Sequence, residues 1–339
     1  MTENKKQNVD IVSVAKAAKV SISTVSRTFN HPDLVKPETR KRIDAAVKRL
    51  GYIRNRAAQA MHGRRSATIG LVVPTIDHAI FAEVVQAFSD AVDAEGFTML
   101  LASHGYDLDR EYAVLRKFLE HRVDGVALIG LDHSEETLRL IERQGIPALS
   151  IWNYADSGAL ASIGADNRAA GRMAAEHLLA LGHRSVATIF PPIDDNDRAR
   201  DRHAGVESAL RSADAWPPRA LRAEAPYAIA AAKEAAAHLL ANTPRPTAIL
   251  CGNDVQATGA VYAARAAGLS VPGDVSIIGI GDFRGSADME PALTTVRLPA
   301  RQIGGEAGRA LAFAITEEAP MTSLACAIEL RERETCRAL

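Results

Sequence analysis

The chain has little of what several protein classes require. Its three cysteines are odd in number and lack the paired spacing of a zinc site, which excludes a disulfide framework and predicts reduced thiols and no bound metal. No apolar run approaches the roughly 18 residues that a membrane span needs. The N-terminal residues also lack the hydrophobic segment of a secretion signal. We therefore expect a cytoplasmic protein with no membrane partner.

The length of 339 residues exceeds what one hydrophobic core normally serves, because single cores stop growing at about 250–300 residues. With 47% apolar and 24% charged residues, the composition is that of an ordinary globular protein. It excludes a disordered chain, a collagen and a coiled-coil rod. The sequence therefore predicts more than one folded part.

The chain also has almost no net charge, −1 in total, but the charges are unevenly distributed. Residues 1–65 hold 15 Lys and Arg against 5 Asp and Glu, a net charge of +10, and the remainder therefore carries −11. This asymmetry suggests a polyanion-binding head on an acidic body. A solvated pair of basic helices would show the same pattern, so charge alone favours nucleic acid only weakly.

Two short helices are predicted at the start of the head. The first has apolar residues at helical spacing and Asp10 as its N-cap. The pattern breaks at Lys19, and Ser21 is placed to cap a second helix that buries Val25 and Phe29 on one face. The opposite face of that helix carries Ile22, Ser23, Ser26 and Arg27. Two helices joined in this way form a helix-turn-helix, which presents the N-terminal residues of its second helix to the major groove.

A third helix is predicted from Pro37, which suits a first helical turn, to Gly51, which suits a helix end. Its buried positions are Ile43, Val47 and Leu50. Residues 1–53 therefore form an all-α head.

The second helix of the head resembles that of the LacI/GalR family of bacterial repressors, whose string is V-S-x-x-T-V-S-R. Here the string reads Val20-Ser21-Ile22-Ser23-Thr24-Val25-Ser26-Arg27. The match continues at the expected separations through Asn30, Val35, Thr39-Arg40, Leu50-Gly51-Tyr52, Asn55-Arg56-x-Ala58 and Ser66-x-x-Ile69-Gly70. Several motifs in the right order are far more specific than any one of them.

The resemblance implies a division of labour on double-stranded operator DNA. Base edges would be read by Ile22, Ser23 and Arg27. Phosphates would be contacted mainly by Ser21, Ser26, Asn30, Thr39 and Asn55. The chemistry agrees, because Arg27 offers two donors to guanine O6 and N7, whereas Ile22 offers an apolar contact such as one to a thymine methyl group.

The resemblance further implies that residues 54–66 form a hinge helix that folds against operator DNA, with Ala58 and Met61 among its DNA contacts. Met61 stands where the family has a leucine that wedges open a base step, and a flexible thioether can fill that role. An ordinary contact between domains is the alternative. Two residues depart from the family: Arg54 replaces the usual proline, and Lys19 replaces a common turn glycine, so the turn must form without glycine's freedom.

The body, residues 67–339, alternates apolar strands with amphipathic helices. The predicted strands are Ile69–Val73, Thr98–Ala102, Gly125–Ile129, Ala148–Ile151, Val186–Ile189, Ala248–Cys251 and Ser276–Ile280. The predicted helices span 80–95, 109–121, 134–145, 166–181, 198–212, 227–241 and 254–267. This alternation predicts an α/β fold of two parallel-sheet lobes, with ligands bound beyond the carboxyl ends of the strands.

The family motifs extend through the body, which implies a fold like that of periplasmic sugar-binding proteins and a cleft for a small polar metabolite. They also place one lobe at about 67–165 plus 298–325, and the other at about 166–297 plus 326–339. By position, the effector-binding residues are Phe81, Trp152, Arg200, Asn253, Asp254 and Asp282. Two alternatives stay open: Arg200 pairs with a nearby aspartate at the surface, or Asp254 only caps the following helix.

Departures from the family concern the effector. Members often have aspartate where this chain has Gly281, and the loop at 76–81 differs from the usual N-P-F-F. The segments 81–85, 104–106 and 289–291 look somewhat like the gluconate-repressor branch. This resemblance suggests a sugar acid, whose carboxylate would face Arg200 together with His78 or Arg284.

Two other functions compete. The loop Gly279–Gly285 resembles a dinucleotide-binding loop, but its third glycine is one residue late and no helix pattern follows it. A periplasmic solute-binding protein would share the body, but it would have no use for a basic helical head. The sequence therefore predicts a cytoplasmic repressor without cofactor or catalytic site, which binds a pseudopalindromic operator. Because residues 329–339 lack a heptad pattern, a homodimer is expected.

Overall fold

The structure is a computed structural model that describes residues 9–53, 65–77 and 79–339. The chain divides into two compact units, a head at Met1–Ser66 and a body at Ala67–Leu339. In the described residues, no helix is long and apolar enough to cross a membrane.

The head contains α1 (Ile11–Ala18), α2 (Ile22–Asn30) and α3 (Pro37–Leu50). Side-chain caps begin the first two helices: Asp10 Oδ1 accepts from the Ser13 N–H at 2.8 Å, and Ser21 Oγ accepts from the Thr24 N–H at 3.2 Å. Gly51 ends α3 with a φ of +64°, which glycine adopts without strain. These ends are the ones that the sequence predicts.

A small apolar core joins the three helices of the head. Val14, Val25 and Ile43 are fully buried, one from each helix, and alanines fill the space between them. Phe29 and Val47 pack against this core but stay partly exposed. The head therefore has the predicted helix-turn-helix core, in which α2 lies with one face buried and the other in solvent.

The body contains twelve strands, named here in chain order with the helices between them. They are β1 (Thr68–Val73), α4 (Ala79–Ala94), β2 (Thr98–Ser103), α5 (Leu108–Glu120), β3 (Gly125–Ile129), α6 (Glu135–Gln144), β4 (Ala148–Asn153), β5 (Ala161–Ala165), α7 (Asn167–Ala180), β6 (Val186–Phe190), α8 (Asp197–Ser212), β7 (Arg222–Glu224), α9 (Ile229–Leu240), β8 (Ala248–Cys251), α10 (Asp254–Ala266), β9 (Ser276–Gly281), β10 (Thr294–Arg297), α11 (Ala300–Glu317), β11 (Leu324–Ala325) and β12 (Glu329–Arg331).

The strands form two sheets with the same topology. The first lobe has the order β11-β5-β4-β3-β1-β2, with every neighbouring pair parallel. The second has the order β12-β10-β9-β8-β6-β7, in which only the β10–β12 pair is antiparallel. In each sheet the strand order reverses beside the first strand, at β1/β3 and at β6/β8. Ligands of doubly wound folds bind at such switch points, beyond the carboxyl ends of the strands.

The prediction of a two-lobe α/β body is confirmed. Each predicted strand and helix is present, with its ends within two residues of the prediction. The sequence analysis missed the long helix α11 and five short strands, which are β5, β7, β10, β11 and β12.

Helix α11 escapes prediction because its glycines lower the apparent helix propensity, whereas packing requires them. A Cβ on Gly304 would lie 2.4 Å from the Val84 carbonyl oxygen of α4, and one on Gly308 would lie 2.8 Å from the Ala91 Cβ. The two helices thus approach closely through bare backbone. The adjacent Gly305 differs, because its nearest neighbour would be the flexible Arg309 side chain at 3.4 Å.

Alanine at these two glycines should change stability in opposite directions. Gly304→Ala forces α11 away from α4 and should lower the free energy of unfolding by ~1–3 kcal/mol. Gly305→Ala is the matched control, because it adds the same methyl group in ordinary contact and should raise stability by up to ~1 kcal/mol through helix propensity. Urea unfolding of the body measures both; equal effects would show that helix packing does not constrain Gly304.

Candidate DNA-recognition helix and effector cleft

The N-terminal part of α2 presents a mixed apolar and polar surface. Ile22, at the first helical position, leaves 47% of its surface exposed, and Ser23 beside it is also exposed. Arg27 is exposed about one turn later, and Ser26 is half-buried. Since Val25 on the opposite face is fully buried, the helix has one orientation in the head and offers these residues outward.

The Ser21 side chain caps the start of α2. Besides capping the helix, its Oγ lies 2.8 Å from Ser23 Oγ and 2.8 Å from Thr24 Oγ1. Thr39 is half-buried in the first turn of α3. Along α3 the exposed basic residues are Lys41, Arg42, Lys48 and Arg49, whose charge attracts a polyanion at long range.

The turn between α1 and α2 holds Lys19 in the left-handed region, with φ +55° and ψ +48°. Its N–H donates to the Lys16 carbonyl oxygen at 3.3 Å, and the Val20 N–H donates to the Ala15 carbonyl oxygen at 3.0 Å. These bonds satisfy the last carbonyls of α1. The structure therefore shows that Lys19 adopts a glycine-type conformation, which costs a residue with a Cβ roughly 1–2 kcal/mol.

The two lobes of the body meet where β3 and β4 end and α8 begins. The Leu131 N–H of the first lobe donates to Asp197 Oδ2 of the second at 2.6 Å, and Asn153 Nδ2 donates to the same oxygen at 3.2 Å. Arg198 Nη1 pairs with Asp197 Oδ1 at 2.7 Å. Burial raises the pKa of Asp197, but Arg198 and the N–H donors outweigh it, so the pKa lies below its ordinary value.

Two arginines follow on α8, and they differ in environment. Arg200 leaves 41% of its side chain exposed and its Nη2 pairs with Asp132 Oδ2 of the first lobe at 2.6 Å. This hydrogen bond raises the pKa of Arg200. Arg202 is only 5% exposed, and its Nη2 donates to the Tyr227 hydroxyl at 2.8 Å. Among the described residues, Arg202 has no carboxylate partner and its Nε has no hydrogen-bond partner.

From sequence the effector contact is assigned to Arg200 and not to Arg202, although both stand in one motif. The missed signal is helical phase: Arg202 lies three residues before Gly205, and a Cβ on Gly205 would be 2.0 Å from the Arg168 carbonyl oxygen of α7. The Gly205 face of α8 is therefore the packed face. Arg200 lies outside that face: its Nη2 donates to Asp132 Oδ2 across the cleft at 2.6 Å, and its Nη1 donates at 3.3 Å to the backbone carbonyl oxygen of Asp194, one of the neighbouring aspartates considered from sequence.

Phe81 and Trp152 are brought together, and their role in a cleft wall stays a prediction. Their ring centroids are 5.8 Å apart in an edge-on arrangement, and both side chains are buried. Trp152 has a φ of +84° at the end of β4, directly before Asn153. Both rings belong to a core that continues into the second lobe at Phe190.

The three remaining predicted effector residues use their side chains inside the second lobe. Asn253 Oδ1 caps α10 by accepting from the Gln256 N–H at 3.0 Å. Asp282 pairs with Arg333 at 2.6 Å. Asp254 is fully buried, and its carboxylate accepts from Phe283 N–H, Ser286 Oγ and Thr295 Oγ1. Burial raises the pKa of Asp254. Effector contact by these three stays a prediction, and it would require these bonds to be exchanged.

The comparisons with known proteins agree with this geometry. Residues 10–55 match the family described as bacterial regulatory proteins, lacI family, and residues 175–336 match a periplasmic binding protein-like domain. Catabolite control protein A of Priestia megaterium is 30% identical over 94% of this chain and 96% of its own length. The repressor PurR of Pectobacterium carotovorum is 31% identical over 91% of each. The chain belongs to the lacI family of bacterial regulatory proteins.

Among solved structures, the Lac repressor dimer bound to operator and the anti-inducer ONPF superposes with a TM-score of 0.87. It is 27% identical and covers 98% of this chain and 100% of its own. This lacI-family chain is therefore a DNA-binding transcriptional regulator and not an enzyme, as the sequence predicts.

The local structure after β9 also argues against a dinucleotide site in this lacI-family regulator. Gly281 ends the strand, and a short 3-10 helix follows at Ser286–Asp288. In the body as described, no α-helix begins between β9 and β10. A pyrophosphate would therefore find no helix N-terminus to bind.

Several predicted residues of the regulator lie outside the described residues. They are Asn55, Ala58 and Met61 of the hinge, Arg54 before them, and His78 of the body. The side chain of Asn30 is likewise outside the description. Their predicted roles stay predictions.

Glycine at the turn should stabilise the head. Lys19→Gly removes the Cβ from a left-handed residue and should raise the free energy of unfolding of the head by about 1 kcal/mol. Amide exchange of the buried Val14 and Val25 in the full chain measures it. Lys19→Ala keeps the Cβ but removes the charge, so it should give no gain; equal gains from both variants would assign the effect to charge instead.

Proposed function

We propose that this regulator is a cytoplasmic homodimeric repressor whose affinity for a pseudopalindromic operator is controlled by a sugar acid bound between the lobes. The exposed face of α2 supports the operator contact, and the buried guanidinium of Arg202 carries the effector assignment. The Lac repressor, similar over almost the whole chain, is a dimer on its operator.

On the operator, the exposed face of α2 supplies two kinds of base contact. In this proposal Arg27 donates twice to one guanine, and Ile22 covers a neighbouring methyl group. Ser23 is exposed beside Ile22, and Ser21 and Ser26 are placed to contact phosphate. The hinge, with Asn55, Ala58 and Met61, adds the proposed minor-groove contacts and the apolar wedge.

The proposal for α2 is tested by Arg27→Ala. Loss of a bidentate base contact should relax preference at one operator position, with a cost of ~1–3 kcal/mol for the preferred base pair. Binding to a set of operators that differ at single positions measures it. Arg49→Ala is the control, because it removes an exposed charge from α3 and should weaken all operators alike. Uniform weakening by Arg27→Ala would make Arg27 a phosphate contact.

The effector proposal depends on the direct partners of the three arginines of α8. Arg198 pairs with Asp197, and Arg200 with Asp132, whereas the half-buried Asp201 accepts from Asn153 Nδ2 at 3.4 Å. Arg202 is as deeply buried as Arg198, but among the described residues the hydrogen-bond partner of its guanidinium is the Tyr227 hydroxyl and not a carboxylate. Burying a charge without a partner costs free energy, so we expect Arg202 to bind an anion in the cleft. A ligand carboxylate supplies it.

The rest of the cleft suits the hydroxylated part of a sugar acid. The ring faces of Phe81 and Trp152 can pack on the C–H groups of such a ligand. The side-chain amide of Asn153 can bind its hydroxyl groups. Arg284, which is exposed after β9, and Arg200 at the cleft edge are the other cations that the sequence assigns to the carboxylate. Effector binding then changes operator affinity through a coupling free energy of typically ~1–3 kcal/mol, which acts in both directions.

Variants of Arg202 and Arg200 test which of the two arginines binds the effector carboxylate. Arg202→Gln should weaken binding of D-gluconate about 10- to 100-fold, because a charge-assisted hydrogen bond to a buried anion is lost. Arg200→Gln is the matched control on the same helix and should have a smaller effect, since it removes an exposed pair with Asp132. Calorimetric titration with D-gluconate and with neutral D-glucose measures both. Equal affinity for the two sugars would refute an anionic effector, and a larger loss in Arg200→Gln would restore the assignment made from sequence.

A further inference from the structure

One carboxylate of the second lobe already occupies donors of the first. Asp197 is the first residue of α8, yet its Oδ2 accepts the Leu131 N–H and the Asn153 side-chain amide from across the cleft. Its Oδ1 accepts from Arg198 Nη1 and from the Arg198 N–H, each at 2.7 Å. Both oxygens are therefore fully engaged in a junction between the lobes.

The first lobe is shaped to admit this carboxylate. Gly130, between β3 and Leu131, has a φ of +107°, and a Cβ there would lie 2.7 Å from Arg198 Nη1 and 2.9 Å from Asp197 Oδ2. Any other residue at position 130 would hold the lobes apart or displace the ion pair. Leu131 and Asn153 lie at the carboxyl ends of parallel strands, which is where ligands of this architecture bind.

Two further contacts cross the same junction. Arg200 pairs with Asp132, and the Arg198 guanidinium lies 5.6 Å from the centroid of the Tyr106 ring. Burial raises the pKa of Tyr106 to about 12, so its phenol stays neutral beside the cation. The 130–134 loop that carries Leu131 and Asp132 is itself held by His133, between Glu111 at 3.0 Å and Ser150 at 3.1 Å.

We infer that Asp197 is a built-in ligand: its carboxylate holds the two lobes together in the absence of an effector and must be displaced by the oxygen atoms of an incoming sugar acid, whose own carboxylate pairs with Arg202. The second half of this inference rests on the proposed function, and the first half does not. The regulator then binds its effector only from the fraction of molecules in which the junction is open. The apparent affinity is lower than the intrinsic one by that fraction.

The junction is tested by amide exchange at Leu131 in the full, effector-free chain. The Leu131 N–H is bonded across the cleft, whereas the adjacent Gly130 N–H donates to the Ile151 carbonyl oxygen within the first lobe at 3.0 Å. Asp197→Ala should therefore accelerate exchange at Leu131 at least about tenfold and leave Gly130 slow, because only the cross-lobe acceptor is removed. Asp195→Ala, two residues earlier and exposed, is the matched control and should change neither amide.

Asp197→Ala leaves the Arg198 charge without its partner and could impair folding. A second variant, Gly130→Ala, therefore changes the junction on the side of the first lobe. Gly130→Ala should also accelerate Leu131 exchange, whereas Gly145→Ala should not, since Gly145 has a positive φ but open space where its Cβ would stand. Unchanged exchange at Leu131 in a folded Asp197→Ala or Gly130→Ala variant would overturn the inference.

The displacement is tested with D-gluconate as the probe. If Asp197 competes with the ligand for the same donors, Asp197→Ala should bind gluconate about tenfold more tightly than the parent chain. Weaker binding would mean that Asp197 contacts the effector, which would overturn the competition. Absence of gluconate binding in both proteins would refute the proposed effector class, and the Leu131 exchange rates would then decide on the junction by themselves.

Discussion

The body depends on how buried charges are balanced at the start of α8. Three arginines and two aspartates stand within six residues there. These residues span less than two turns of the helix, so their side chains point in different directions and contact different partners. Asp197 neutralises Arg198 and reaches the first lobe, Arg200 reaches Asp132, and Arg202 turns inward to Tyr227. Since desolvated charges are tolerated only in pairs, the partners of these residues determine which lobe geometry is stable.

The fold was predictable where local pattern and tertiary environment agree. The helices of the head could be predicted from their caps and from apolar residues at helical spacing. The buried strands could be predicted from apolar runs of the right length. Helix α11 was not predictable in this way, because Gly304 and Gly308 weaken the helical pattern. The same glycines are needed where α11 packs closely on α4. Of the missed strands, β7, β11 and β12 are edge strands of two or three residues, too short for periodicity to be informative.

The site was predictable to a smaller extent, because residue type does not reveal burial. The exposed face of α2 follows from which residues are apolar, so Ile22 and Arg27 could be selected from sequence. In the cleft, Arg200 and Arg202 look equivalent in the printed chain, and only the packing of Gly205 on α7 separates them. The Asp254 carboxylate accepts from three internal donors, which no local sequence pattern indicates, and its contact with an effector stays a prediction.

A cleft that closes on its own carboxylate changes what effector binding must do. An empty cleft lined with unpaired donors would close only when a ligand satisfies them, so effector and closure would be one event. Here Leu131 and Arg198 are satisfied by Asp197, so closure and ligand binding are separable, and the effector must exchange one set of hydrogen bonds for another. A ligand shifts a conformational equilibrium only by its difference in affinity for the two states. Among the buried arginines described at the start of α8, Arg202 is the one without a carboxylate partner, so its charge is what such an exchange can still compensate. This is the physical reason why an anion, rather than any polar metabolite, is expected to drive the switch.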